Sequence, residues 1–140
     1  MTCCGVEIKG SDAVLALATQ NGATIEHLAV PTKKITLADD DEAVNVKAFR
    51  AQLEAFVQAH RIEHIAIKKR GKKGEFAGGP TTFKIETIFQ LLEGCTVTLL
   101  APQTISATQK KQAFALPASL NKYQHEAFLT ACTALVRSSN

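Results

Sequence analysis

"TCCGVEIKGSDAVLALATQNGATIEHLAV" runs from Thr2 to Val30, and its punctuation decides the fold. The apolar run TCCGVEI stops at Lys9-Gly10-Ser11-Asp12, a cluster of turn residues, and AVLALAT follows up to Asn21-Gly22. Asn-Gly between two apolar runs is the strongest short hairpin signal, because both central positions of a type I′ turn need positive φ. Two successive hairpins are expected, with ATIEHLAV returning as a third antiparallel strand closed by Pro31.

Helical spacing begins beyond the connection TKKITLA, where Val46, Phe49, Leu53, Phe56 and Val57 recur on one face. The acids Asp39-Asp40-Asp41-Glu42 stand just before it. Asp39 with Glu42 matches a capping box, and the helix dipole favours negative charge there, so this run reads as structural rather than as a metal site. HIAI, from His64 to Ile67, is apolar on both faces, as a central parallel strand would be. Pro80-Thr81-Thr82 opens a second helix that turns Ile85, Ile88, Phe89 and Leu92 inward and stops at Gly94. TVTLLAP is a fifth strand ended by Pro102, and after a polar segment NKYQHEAFLTACTALV forms a last helix with Ala127, Phe128, Ala131, Cys132 and Leu135 inside. A meander followed by two right-handed crossovers assembles an α/β domain of the ribonuclease H-like kind. The expectation is a mixed five-stranded sheet, three antiparallel strands then two parallel ones, with helices on both faces.

A chain of 140 residues is long enough to bury a core as one domain, residues 1–140. Its 46% hydrophobic and 21% charged residues exclude a wholly disordered chain. A net charge of +3 does not by itself argue for a nucleic-acid partner, so the placement of charge has to carry that argument. The start MTCCGVEIKG lacks a secretory pattern and no stretch reaches the length of a membrane span, so a cytoplasmic location is expected. Cys3, Cys4, Cys95 and Cys132 form no C-x-x-C pair and read as buried, inert thiols rather than a zinc site. His60 and His64 are four apart, but the first ends a helix and the second begins a strand, so they need not share a face. His27 and His125 stand alone.

With these segments in hand, GVEIKG, KGEFAGG, FKIE and VTLLAP resemble a proteobacterial family of uncharacterised proteins, domain of unknown function 3010, grouped with ribonuclease H-like folds. The chain is also distantly similar to Holliday-junction resolvases of the RuvC type. That similarity places an acidic residue in the first strand, here Glu7, and sets HEAFLTACTAL beside the resolvases' last helix, where Glu126 matches a metal-ligating carboxylate. In the fourth strand AIK stands where the resolvases have an Ala-Ile-Glu-like sequence, so Lys68 replaces an acid. Two-metal phosphodiester cleavage needs several carboxylates around ions about 3.5–4 Å apart. Glu7 and Glu126 are two, and Glu75 and Glu86 are the remaining candidates nearby.

After HIAI come Lys68, Lys69, Arg70, Lys72 and Lys73, then a glycine-rich stretch with Gly74, Gly78 and Gly79. Cations at the carboxyl end of a parallel strand lie where open α/β sheets bind ligands. Glycines let backbone amides approach an anion, and the helix from Pro80 offers its positive end. Lys68, Lys69, Arg70, Lys72, Lys73, Gly78, Gly79 and Lys84 are therefore the candidate anion-binding set, with Phe76 able to stack on a base and Lys110 and Lys111 extending the basic surface. The favoured reading is a protein that binds nucleic acid, single-stranded or branched, or another polyanion, with catalysis weak or lost. One alternative is a Mg²⁺-dependent nuclease using Glu7 and Glu126 as catalytic residues and metal ligands. Another is a protein-interaction module whose basic loop meets an acidic partner, the loop otherwise being a solvated face.

Overall fold

The computed structural model of the chain describes residues 1–71 and 78–138. Strands β1 (Thr2–Lys9), β2 (Asp12–Asn21) and β3 (Thr24–Leu28) form the meander, followed by a short β4 (Lys34–Thr36). Then come α1 (Ala43–Ala59), β5 (His64–Lys68), α2 (Pro80–Gln90), β6 (Thr96–Leu100), α3 (Pro102–Lys111) and α4 (His125–Ser138). The main path of the sheet is β3-β2-β1-β5-β6, antiparallel across the meander and parallel from β1 through β5 to β6. That is the expected five-strand order. The sixth strand, β4, pairs with β2 off this path and places Ile35 in the core.

The second hairpin sits one residue later than Asn-Gly suggests. Asn21 pairs with Thr24, so Gly22 and Ala23 are the central residues, and of these Gly22 alone has positive φ, at 62°. Positive φ at the first central position alone is the type II′ pattern, which glycine satisfies without the strain that a side chain at a second such position would add. The capping box at Asp39 and Glu42 does not form. Helix α1 begins at Ala43 with Glu42 itself at the N-cap, and the Asp39 carboxylate accepts the Asp41 amide at 3.2 Å, inside the preceding turn.

Strand alternation divides the core in two. Val6, Ile8, Leu15, Leu17, Ile65 and Ile67 meet α1 and α2 on one face. Cys3, Val14, Ala16, Ala18 and Ala66 meet α4 on the other, and α3 packs beside α4. Gly5 lies on that second face, and a Cβ added there would stand 1.7 Å from the Ala127 carbonyl oxygen. Helix α4 thus rests on the backbone of β1 itself. Helix α3 buries Ile105 alone, which is why its polar sequence carries no periodic signal.

Burial also settles the thiols. Desolvation holds Cys3 and Cys132 at a pKa of about 12, pushes Cys4 well above the ordinary value and raises half-buried Cys95. The thiolate is the reactive form. At mildly alkaline pH a disulfide-exchange reagent is expected to modify Cys95 first in the native protein, the other three reacting only after denaturant is added. Equal rates at all four positions would contradict the packing of α4 on β1.

Candidate functional site

The site is built by phase. Glu7 follows Cys3 and Gly5 at two-residue intervals on β1, and Lys68 follows His64 and Ala66 on β5, so both side chains emerge on the α4 face of neighbouring parallel strands. Glu126 enters from above, in the first turn of α4. The start of that helix is pinned. Asn121 and Gln124 form a reciprocal capping box in the preceding 3₁₀ turn, and the Gln124 side-chain amide donates to the Leu15 carbonyl at 2.8 Å. Close approach at Gly5 then brings Glu126 down over the carboxyl end of β5.

The three side chains meet at one ammonium. Lys68 Nζ donates to Glu126 Oε1 at 2.8 Å and lies 3.7 Å from Glu7 Oε2. Lys9, on the same face of β1, places its Nζ 3.5 Å from Glu7 Oε1. Glu7 is the deepest member, its side chain 9% exposed against 22% for Lys68 and 43% for Glu126. Glu7 Oε1 is buried without a hydrogen bond, so its compensation comes from the two lysines through space. Two cations face two anions in this crevice, and its formal charge cancels.

This geometry bears directly on metal binding. A hard divalent ion needs several oxygen ligands converging on one point. Here the point between Glu7 and Glu126 is taken by an ammonium, and a divalent ion within about 4 Å of it would be opposed by roughly 8 kcal/mol at an effective dielectric of 20. Among the described residues no cluster of three or more His, Cys, Asp or Glu could hold a metal. The residues present do not fit a two-metal centre. Of the other candidate acids, Glu75 lies outside the described residues, and Glu86 is on α2, across the sheet.

The candidate anion-binding set is dispersed by the same alternation. Lys68 is held by carboxylates, and Lys84 donates to the Asp40 carbonyl at 2.8 Å with Asp40 Oδ2 at 3.4 Å, so neither ammonium is free. Asp40 also accepts from Thr81 Oγ1 at 3.0 Å. One acid of the run before α1 therefore clamps the first turns of α2, a long-range role that no local motif signals. Lys69 is exposed and points to the α2 side, whereas Arg70 is half-buried with its Nε unpartnered. The Gly78 amide already donates to Gly71 O at 2.9 Å, and Gly79 is the exposed N-cap of α2. Lys72, Lys73, Gly74 and Phe76 lie outside the described residues. Lys110 and Lys111 end α3. His64 Nε2 bonds Thr98 Oγ1 at 2.9 Å, and burial lowers its pKa, which leaves it a structural partner of β6.

Residues 1–134 match the family described as protein of unknown function DUF3010. The chain belongs to that family. No curated protein matches it. Its fold is similar to that of Thermus thermophilus RuvC, with a TM-score of 0.76 at 10% identity over 99% of this chain and 96% of that one. T. thermophilus RuvC in complex with a Holliday junction substrate gives 0.73 at 14% identity, with the same coverage. The fowlpox virus resolvase in complex with substrate Holliday junction DNA gives 0.57 at 16% identity, covering both chains fully. At these identities the likeness is one of fold, and the expected RuvC-type, ribonuclease H-like architecture is the one the chain has. Among the described residues no helix is long and apolar enough to cross a membrane.

Proposed function

We propose that the protein binds nucleic acid, single-stranded or branched, across the carboxyl end of β5 and does not cleave it. The observation that carries this reading is the Lys68 ammonium lodged between Glu7 and Glu126. Two bare carboxylates would repel a phosphodiester, by about 4 kcal/mol for each unit charge at 4 Å and an effective dielectric of 20. Lys68 and Lys9 remove that repulsion without an ion. Lys69 and Arg70 then remain as cations with no carboxylate partner among the described residues, at the end of the strand. The resemblance to folds that hold Holliday junctions supports polynucleotide as the polyanion.

Fluorescence anisotropy with single-stranded, duplex and four-way-junction DNA tests this directly. Affinity is expected to fall steeply with salt, by about 0.9 log units per decade for each phosphate contact. Substituting both Lys69→Ala and Arg70→Ala should flatten the slope by up to about 1.8 and weaken unrelated sequences alike, because phosphate contacts position a ligand without reading it. The same DNAs, incubated with Mg²⁺ or Mn²⁺, should remain intact. Absence of binding at low salt would remove the proposal, and cleavage that disappears in Glu7→Gln would replace it with a nuclease.

A further inference from the structure

The turn that leads into α4 carries an aromatic ring beside the crevice. Tyr123 lies in the 3₁₀ turn Lys122–Gln124 and is 43% exposed, whereas every phenylalanine among the described residues is buried or half-buried. No other ring packs against it among the described residues. A single exposed apolar side chain is ordinary by itself. Tyr123 differs in how firmly its backbone is held and in what stands next to it.

The turn is tied down on both sides of the ring. The Asn121 amide and Asn121 Nδ2 both donate to Gln124 Oε1 at 3.1 Å, the Gln124 amide donates to Asn121 O at 2.9 Å, and Gln124 Nε2 donates to Leu15 O of β2 at 2.8 Å. An exposed ring is thus presented from a fixed backbone, which lowers the ordering cost of anything that binds it. His125 continues the turn into α4 with helical angles, φ −55° and ψ −48°. Tyr123 and Glu126 are therefore three apart on one helical surface, with Cβ atoms about 5–6 Å apart. Glu126 in turn holds Lys68 at the crevice. Lys122, four positions before Glu126, is exposed and has no carboxylate within 4 Å among the described residues.

A ring and an unpaired cation beside a charge-neutralised crevice match the chemistry of a single strand, whose phosphates meet cations while its bases stack on aromatic side chains. A protein partner would call for an apolar patch around the ring, but Asn121, Lys122, Gln124 and His125 flank it. A duplex keeps its bases stacked and paired and offers no free face. We propose that Tyr123 is a stacking platform for one unpaired base of the strand that crosses the crevice, with Lys122 on a neighbouring phosphate. The inference rests on the nucleic-acid reading and specifies which form the site takes, a strand with at least one base outside a duplex. Every base has a π-face, so no base preference is expected.

The chain holds one tyrosine and no tryptophan, so its tyrosine emission reports Tyr123 alone. The test titrates the intact protein with end-labelled oligothymidylate, with an abasic strand of equal phosphate number and with a blunt duplex, following label anisotropy and tyrosine emission together. N-acetyltyrosinamide titrated in parallel corrects for absorption by the DNA. Oligothymidylate is expected to quench the emission, and the abasic strand to bind with the same salt slope without quenching. Tyr123→Ala should weaken oligothymidylate about fivefold to 150-fold with the salt slope unchanged, because a stacked base and no phosphate contact is lost. Tyr123→Phe keeps the ring and should recover the affinity, while Lys122→Ala should flatten the slope by up to about 0.9. At an exposed position neither tyrosine substitution should move the thermal midpoint appreciably. Binding of oligothymidylate at low salt with emission unchanged, or with Tyr123→Ala equal to wild type, would overturn the platform and leave the nucleic-acid reading standing. Constant anisotropy with every strand at low salt would overturn both.

Discussion

Gly5→Ala is expected to lower the thermal midpoint by about 10 °C or more, or to prevent folding. The added Cβ would lie 1.7 Å from Ala127 O and 2.8 Å from Ala131 N, all backbone atoms of α4, so no side-chain rotation relieves the clash. The helix must lift as a body from β1. Its inner face carries Ala127, Phe128, Ala131, Cys132 and Leu135, each at most 1% exposed, and lifting it opens that whole layer. Overpacking costs about 1–3 kcal/mol where side chains can adjust and more where they cannot. Each kcal/mol moves the midpoint of a domain this size by roughly 2–4 °C or somewhat more. Gly79→Ala is the control: its added Cβ meets nothing within 4 Å and its φ is −75°, so circular-dichroism melting should find it near wild type. A Gly5→Ala midpoint equal to that of Gly79→Ala would mean that α4 does not rest on β1.

Lys68→Met is expected to destabilise the fold by about 2 kcal/mol at neutral pH. Breaking a fully buried ion pair by removing one partner costs about 3–5 kcal/mol, and the lower figure follows from the 43% exposure of Glu126 and the surviving Lys9 near Glu7. The double variant Lys68→Met, Glu7→Gln should recover most of the loss, because an amide has no charge left to compensate. Equilibrium urea denaturation of both single variants and the double variant closes the cycle, with a coupling of about 1–2 kcal/mol expected between the two positions. Simple additivity would show that the ammonium does not serve Glu7.

The residues that announce the fold are those whose signals are local. Asn21-Gly22 and Lys9-Gly10-Ser11-Asp12 mark two hairpins whatever surrounds them, and the alternation within TCCGVEIK puts Glu7 on the same face as Cys3. The one-residue displacement of the second turn reflects glycine's freedom to supply the single positive φ that this register needs. Helix α3 and strand β4 escape because one buried isoleucine each, Ile105 and Ile35, leaves no period to detect. The crevice was half legible. Strand phase aligns Glu7 with Lys68 once the two strands are known to be parallel neighbours, but Glu126 arrives from 58 positions further along, through the docking of α4 at Gly5. The Asp40 clamp on α2 and the buried Glu86 carboxylate leave no local trace. On α2, Glu86 falls between Ile85 and the solvated Thr87, a position that pattern alone assigns to the polar face.

Lys68 Nζ stands between the carboxylates of Glu7 and Glu126, at the point a metal ion bridging them would have to occupy. A crystal structure of the wild-type protein grown in millimolar Mn²⁺, with anomalous scattering recorded at the manganese edge, tests it most directly. The expected result is Lys68 Nζ within hydrogen-bonding reach of Glu126, close to Glu7, and no anomalous peak between the two carboxylates. A manganese ion bridging Glu7 and Glu126, with Lys68 swung out toward solvent, would contradict it.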